Sequence, residues 1–395
     1  MEAADCRVTD DIRYVGVNDH EIDLFESQFA VPRGMAYNSY VILDEKIAVM
    51  DSVDANFGKE WLANVKSVLD GKKPDYLVVQ HMEMDHSANI KVFTDKYPDA
   101  KLVASKMSFN MMKSMFGTDF ADRQIIAGEG TELELGASAG AHTLKFISAP
   151  NVHWPEVIMT YDIKEKVLFA ADAFGKFGAN DYDDPEGWAC EARRYYFNIV
   201  GKYGAPVRTL LEKTLQLPIR SIRPLHGPIL EDNLSEYIDL YKIWSSYAVE
   251  TDGIFIACAS IHGGTMAAAQ KLAEILRAKG AGRVEVSDLC RSDFAENVED
   301  AFRHSKLVLA ASSYDAGVFT PMYEFLHRLQ IKGFCNRKVA IVENGSWAPS
   351  AGRVMKEMLS AMNGIEIVDP MVTIRSRMKQ ADIPALESLA DAILN

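Results

Sequence analysis

From Ile254 onward the chain alternates short apolar runs with helical stretches, and few folds can accommodate that alternation. The runs are Ile254 to Ala259, Val284 to Val286, Leu307 to Ala311, Val339 to Val342 and Ile365 to Val368. Met266 to Ala278 reads as the helix after the first of them. A helix between successive strands predicts an open, doubly wound parallel sheet with helices on both faces. Residues 1 to about 250 follow a different pattern. Apolar runs such as Tyr40 to Leu43, Ile47 to Met50, Tyr76 to Val79, Leu144 to Ile147 and Val167 to Ala170 crowd together, as in meanders and mixed sheets. Phe57 to Leu69 and Leu234 to Tyr247 carry apolar residues at spacings of three and four, which predicts helices. This half is expected to be an α/β sandwich with helices outside two sheets. The expected domains are 1–250 and 251–395, with the change of style near Thr251-Asp252-Gly253.

A length of 395 residues suits more than one domain, each with its own core. The formal net charge of -14 argues against general nucleic-acid binding, which needs a basic footprint. No apolar run is long enough to cross a bilayer, so no membrane role is expected. Met1 to Asp11 carries acids and no apolar core, and does not read as a secretory signal. Cys6, Cys190, Cys258, Cys290 and Cys335 lie far apart and form no CxxC pair. Reduced thiols in the cytoplasm are the expectation, and no four-cysteine iron centre is encoded here.

The densest chemistry lies in His81-Met82-Glu83-Met84-Asp85-His86, where four potential ligands occupy six positions. They follow the run Tyr76 to Val79, which predicts a loop leaving a buried strand, where a rigid sheet positions ligands. His153, Asp172 and His226 each follow another strand-like segment and are bounded by Pro, Gly or small residues. A lone His beside Pro or Trp is more often packing than ligation, and a lone acidic run is usually solvated surface. The combination is different. Four imidazoles and three carboxylates exceed what one ion takes, about four to six donors, and point to two ions. Imidazole with carboxylate suits iron, zinc or manganese. His20, His142, His262, His304 and His327 lack such company and are expected to be structural or surface residues.

This pattern resembles the metallo-β-lactamase superfamily, whose hydrolases usually carry H-x-H-x-D-H. Here the second position is Glu83, as in the flavodiiron proteins. The flanks are similar to that family as well: Tyr37-Asn38-Ser39-Tyr40, His153-Trp154-Pro155-Glu156, Asp172-Ala173-Phe174-Gly175, Arg193-Arg194-Tyr195-Tyr196 and His226-Gly227-Pro228. The resemblance covers essentially the whole chain. It implies a metallo-β-lactamase-like αββα sandwich followed by a flavodoxin-like domain. It also implies that His81, Glu83 and His153 bind one iron, that Asp85, His86 and His226 bind the other, and that Asp172 bridges them. Tyr195 would stand behind the ligands as a proton source, with a packed aromatic as the plain alternative.

In the second half, Ser260-Ile261-His262-Gly263-Gly264-Thr265 follows a strand and opens a helix, so it can offer backbone N–H groups and hydroxyls to a phosphate. It resembles the FMN phosphate loop of flavodoxins. Ser312-Ser313-Tyr314-Asp315-Ala316-Gly317 and Asn344-Gly345-Ser346-Trp347-Ala348-Pro349 also leave strands, at the positions that flank the flavin ring in flavodoxins. Trp347 could stack on that ring, against the plainer reading of a partly buried surface Trp. A flavin joined to a two-metal site implies electron transfer rather than hydrolysis. The resemblance implies FMN and two irons, and reduction of dioxygen, nitric oxide or both. The implied electron donor is a separate protein, rubredoxin or a similar small redox protein. The implied assembly is a head-to-tail homodimer or a dimer of dimers. A zinc hydrolase with a regulatory flavodoxin domain, or a redox sensor, are the competing readings.

Overall fold

The computed structural model describes residues 8–395, so Cys6 and most of the acidic stretch from Met1 to Asp11 lie outside the described residues. The chain divides into two compact units, one ending at Lys242 and the other running from Ile243 to Asn395. The division falls inside the helix Leu234–Ser245, a few residues before the expected change at 250.

The first unit contains two mixed sheets. One has six strands in the order Ile12–Tyr14, Tyr40–Ile42, Ala48–Met50, Tyr76–Val79, Lys101–Ala104, Gln124–Ile126. Its last four strands run parallel to one another. The other has five strands in the order Glu132–Glu134, Thr143–Ser148, Ile158–Asp162, Val167–Phe169, Ser221–Arg223, and only the final pair is parallel. Their inner faces pack together through Ile42, Met50, Val78, Phe146, Ile158 and Phe169. The strand Tyr76–Val79 is buried on every residue, which explains why it reads as a continuous apolar run rather than an alternation. Helix Gly58–Leu69 turns Trp61, Leu62, Val65 and Leu69 inward, the three-and-four spacing seen in its sequence.

The second unit has a sheet in the order Val284–Asp288, Thr251–Ala259, His304–Tyr314, Lys338–Asn344, Glu366–Ile367, with every one of these pairings parallel. Val372–Ile374 adds to Lys338–Asn344, and Gly317–Val318 folds back on His304–Tyr314. Helices Gly264–Ala278 and Ile383–Leu394 cover one face, burying Leu272, Leu276, Leu386 and Leu389 against Ile256, Val308 and Val342. Cys258, Cys290 and Cys335 are free thiols. Among the described residues no helix is long and apolar enough to cross a membrane.

Candidate metal centre and cofactor cavity

Four loops of the first unit leave the carboxyl ends of strands and converge. His81 and Glu83 follow Tyr76–Val79, His153 follows Thr143–Ser148, Asp172 follows Val167–Phe169, and His226 follows Ser221–Arg223. The segment after His81 departs from the expected loop. Met84–Ser87 forms one helical turn, with Glu83 extended at its N-terminal boundary. That turn closes through His86 N–H to Glu83 O and Ser87 Oγ to Met82 O, at 3.0 and 2.8 Å. It sends Met84 to solvent while Asp85 and His86 stay buried. Hence the six-residue run serves two sites instead of one.

The donor atoms form two groups. His81, Glu83, His153 and Asp172 make the first, and Asp85, His86 and His226 the second. Asp172 faces both. Its Oδ2 lies 3.1 Å from His81 Nε2 and 3.1 Å from His153 Nε2. Its Oδ1 lies 3.6 Å from both His86 Nε2 and His226 Nε2. The Nε2 atoms of His86 and His226 stand only 3.0 Å apart. At that distance either the His86 ring carries its proton on Nε2 and donates it to His226, or both lone pairs face a cation. No hydrogen bond reaches the buried carboxylate oxygens of Asp85 or Asp172.

The opposite ring nitrogens explain why the Nε2 atoms face inward. His81 Nδ1 donates to Glu156 Oε1 at 2.8 Å, and His226 Nδ1 donates to the Ala36 carbonyl at 2.8 Å. In the neutral ring each bond places the proton on Nδ1 and leaves Nε2 as the acceptor. Glu156 Oε1 also accepts from Met82 N–H at 2.8 Å, so one carboxylate orients both the ligand and its chain neighbour. Asn38 holds the His226 loop by donating to the Pro224 and Gly227 carbonyls at 2.9 and 2.7 Å. Ser52 grips the His86 carbonyl through Oγ at 2.6 Å. Asp51 accepts from Gln80 N–H and Nε2 at 2.7 and 2.8 Å, bracing the end of the strand that carries His81. Sequence reasoning assigned no role to Asp51, Ser52 or Glu156. The available signal was Glu156 itself, which sits in the same segment as His153.

Burial would push the imidazoles down, but the neighbouring carboxylates outweigh it. Asp172, Glu156 and Glu83 raise His81 well above its ordinary value, and Asp172 and Glu83 lift His153 to about 9. Burial likewise opposes ionisation of Glu83, yet its bonds to His153 and His81 hold it down at about 2. The carboxylates are therefore anionic. Tyr195 is buried with its ring centroid 5.6 Å from that of His226. Burial and the carboxylates of Asp172, Glu83 and Asp85 push its phenol well above the usual range, so it keeps its proton.

In the second unit a cavity of about 920 Å³ opens at the carboxyl ends of the parallel strands. Ile261, His262, Gly264, Thr265, Ser312, Ser313, Tyr314, Asp315, Ala316, Asn344, Gly345, Ser346 and Trp347 line it. Ser260, Gly263 and Gly317 do not. Gly263 instead takes a left-handed conformation, φ 80°, that starts the helix, and Gly317 opens the short return strand. The lining also includes Ala348 and Pro349, which continue the expected Asn344 loop, and Ser350, Ser376 and Arg377, which sequence reasoning missed. Ser376 and Arg377 come from a loop after Val372–Ile374 that no apolar pattern marks. Thr265 Oγ1 and Ser312 Oγ are 2.8 Å apart at the cavity floor. Trp347 is 90% exposed, which excludes the partly buried surface Trp.

Facing sheets with a seven-donor group at their strand ends, joined to a parallel-sheet unit with a cavity, define a metallo-β-lactamase-like protein with a flavodoxin-like partner domain. The family model described as "ODP family beta lactamase" matches residues 35–227. Over 248 residues the chain is 33% identical to putative diflavin flavoprotein A 1 of Nostoc sp., which covers 62% of this chain and 42% of that protein. The chain thus spans less than half the length of that relative. It is 30% identical over 386 residues to a nitric oxide reductase of Moorella thermoacetica, covering 93% of this chain and 92% of that protein. The solved structure of rubredoxin oxygen:oxidoreductase from Desulfovibrio gigas superposes with a TM-score of 0.91, at 24% identity, over 98% of this chain and 97% of that one. The chain belongs to the flavodiiron proteins.

Proposed function

We propose that this chain is an oxidoreductase that passes electrons through FMN to a non-haem diiron site reducing dioxygen to water, nitric oxide to nitrous oxide, or both. The observation that carries the reading is the placement of Asp172, with one carboxylate oxygen turned to each donor group. The donors fit two cations. At a metal–ligand length of about 2.0–2.2 Å, neighbouring donors stand roughly 3.0–3.6 Å apart, whether the ion is octahedral or tetrahedral. The donor separations of 3.0 to 3.6 Å among the Nε2 and carboxylate atoms have that spacing. Ligation requires neutral imidazoles, and with these the carboxylates of Asp85, Asp172 and the half-buried Glu83 would leave the pocket anionic, so bound cations would supply the positive charge that the protonated imidazoles supply without them.

His81, Glu83 and His153 would hold one iron, Asp85, His86 and His226 the other, and Asp172 both. When bound, the ferrous pair and the reduced flavin supply the electrons for the reduction. The protein does the rest. Glu156 and the Ala36 carbonyl keep Nε2 of His81 and His226 turned inward. Tyr195 holds a proton beside His226. In the second unit, the N-terminus of helix Gly264–Ala278 and the hydroxyl of Thr265 suit the FMN phosphate, and exposed Trp347 suits a face of the ring. A volume of about 920 Å³ is ample for such a cofactor.

The electron donor is a small redox protein such as rubredoxin, the assembly is a head-to-tail homodimer or a dimer of dimers, and the location is the cytoplasm. The test is anaerobic stopped-flow mixing of the reduced holoprotein with each gas, read by flavin absorbance and product analysis. Rapid flavin reoxidation with water or nitrous oxide as product is expected. A reduced protein that neither gas reoxidises, or a purified and reconstituted protein without iron and yellow colour, overturns the reading.

A further inference from the structure

We propose a third metal site, for one first-row divalent cation of the zinc class, formed by Glu285, Asp300 and His304 in the second unit. Their candidate donor atoms lie within 4.8 Å of one another. His304 is the anchor. Its side chain is wholly buried, and Nδ1 donates to the Asp300 carbonyl at 2.8 Å. The lone pair therefore sits on Nε2, which has no hydrogen-bond partner. Glu285 Oε2 is 3.7 Å from it, too far for a hydrogen bond. That separation is close to the roughly 3.0–3.6 Å between neighbouring donors on one ion with bonds of about 2.0–2.2 Å.

Two features show how the backbone makes room for this grouping. Glu285 and His304 lie on strands that both flank Thr251–Ala259 without touching each other. The imidazole crosses the intervening strand at Gly253, where an added Cβ would come within 2.8 Å of His304 Cδ2. Asp300 comes from the last turn of helix Phe294–Arg303, whose carboxyl end favours positive charge. Three cations stand near the site, Arg283, Arg303 and Arg337, and Arg337 is held by the carbonyl of His304, to which its Nε donates at 2.8 Å. Arg283 Nε donates to Glu285 Oε1 at 2.5 Å, leaving Oε2 turned to His304, while Arg303 Nε donates to Thr251 Oγ1 at 3.4 Å. One imidazole with two carboxylates and no thiolate selects zinc, manganese or iron over softer ions. The site lies where the strands of this sheet begin, whereas the cavity lies where they end. A cation there would clip the edge strand Val284–Asp288 to the strand His304–Tyr314 and to the helix between them.

The test uses holoprotein carrying its FMN and iron, dialysed against Zn²⁺, with zinc, iron and flavin measured together. Wild type is expected to take up one Zn²⁺ per chain with iron and FMN unchanged, and to release FMN at a higher temperature with zinc than without. Asp300→Asn and Glu285→Gln are expected to bind Zn²⁺ at least tenfold more weakly and to lose the thermal shift. His304→Gln tests the anchor, and because a buried change there can impair folding, the two carboxylate variants carry the result. Equal zinc uptake by wild type and both carboxylate variants overturns the proposal. So does zinc that enters only as iron leaves, or no uptake at all.

Discussion

Glu156→Ala separates the two ends of the proposed metal centre. Glu156 is 2% exposed and accepts two hydrogen bonds of 2.8 Å, from His81 Nδ1 and Met82 N–H. Both end on a charged acceptor, a class worth about 1.5–3 kcal/mol each. Removing the carboxylate frees the His81 ring to rotate and to move its proton to Nε2, the atom that would bind metal. Outer partners of this kind typically change metal affinity by about 10–100-fold, which corresponds to about 1.4–2.7 kcal/mol. The effect should be one-sided. His226 is oriented by the Ala36 carbonyl, which the substitution does not touch. Chelator titration of the iron-loaded protein should therefore show one ion of the pair leaving at a roughly 10–100-fold lower chelator concentration than in wild type. Glu156→Gln keeps an acceptor oxygen for Nδ1 and should fall between the two. FMN content, read by absorbance, should be unchanged in all three. Equal retention of both ions by Glu156→Ala would refute the role given to Glu156. Parallel loss of both, with folding intact, would refute the division into two groups.

Two further outcomes are expected. Burial pulls His142 down, but the Asp162 and Asp11 carboxylates, 2.9 and 3.3 Å away, raise it above its ordinary value. A group raised on folding stabilises fully below its unfolded pKa of about 6.5 and loses that contribution as pH rises through the folded value. The stability gap between wild type and His142→Asn should therefore narrow from pH 6 upward in urea titrations, and a gap that is flat or widening would contradict the ion pair. At Gly264 an added Cβ would come within 2.4 Å of the Ser376 carbonyl. Gly264→Ala should cost about 1–3 kcal/mol, the usual range for overpacking, and weaken FMN retention on gel filtration, whereas unchanged melting and flavin content would show that the Ser376 loop yields freely.

Periodicity revealed most of the sheet scaffold because the strands that matter are buried on both sides. Tyr76–Val79 and Val167–Phe169 bury every residue, so each appears as an unbroken apolar run. Their lengths were harder to read. His304–Tyr314 extends beyond Leu307 to Ala311 at both ends because its outer residues are polar and still pair with neighbours. The seven donors were legible because ligand chemistry is written in residue type, and a strand followed by Pro or Gly marks where such residues gather. Their supports were not. Ala36 contributes a carbonyl, which has no sequence signature. Asp51 takes a left-handed conformation, φ 53°, that nothing in its neighbourhood announces. Arg223 carries no sequence sign of burial, yet its guanidinium lies buried over the rings of Tyr40 and Phe169, 5.4 and 5.7 Å from their centroids. His304 looked like a surface or structural histidine because its companions, Glu285 and Asp300, are not near it in any sequence pattern.

The carboxylate at Glu83 has a consequence for electron transfer under the proposed assignment. Superfamily hydrolases usually carry an imidazole at that position, so the exchange adds one negative charge to the donor set. Contacts with His153 and His81 hold the acid at about 2 in the metal-free pocket, so Glu83 is a carboxylate before any ion binds. With the imidazoles neutral, as ligation requires, the three carboxylates would sum to minus three, Asp85 and Asp172 buried and Glu83 half-buried, where screening is weak. Negative ligands favour the more highly charged of two oxidation states, because the Coulomb attraction grows with the charge on the ion. A hydrolytic ion of fixed charge gains only affinity from such a set. An ion that cycles between two charges also gains a lower potential, and so a stronger tendency to give its electrons to a bound oxidant. Under that assignment, replacing one imidazole by one carboxylate would shift the same scaffold from activating water towards donating electrons.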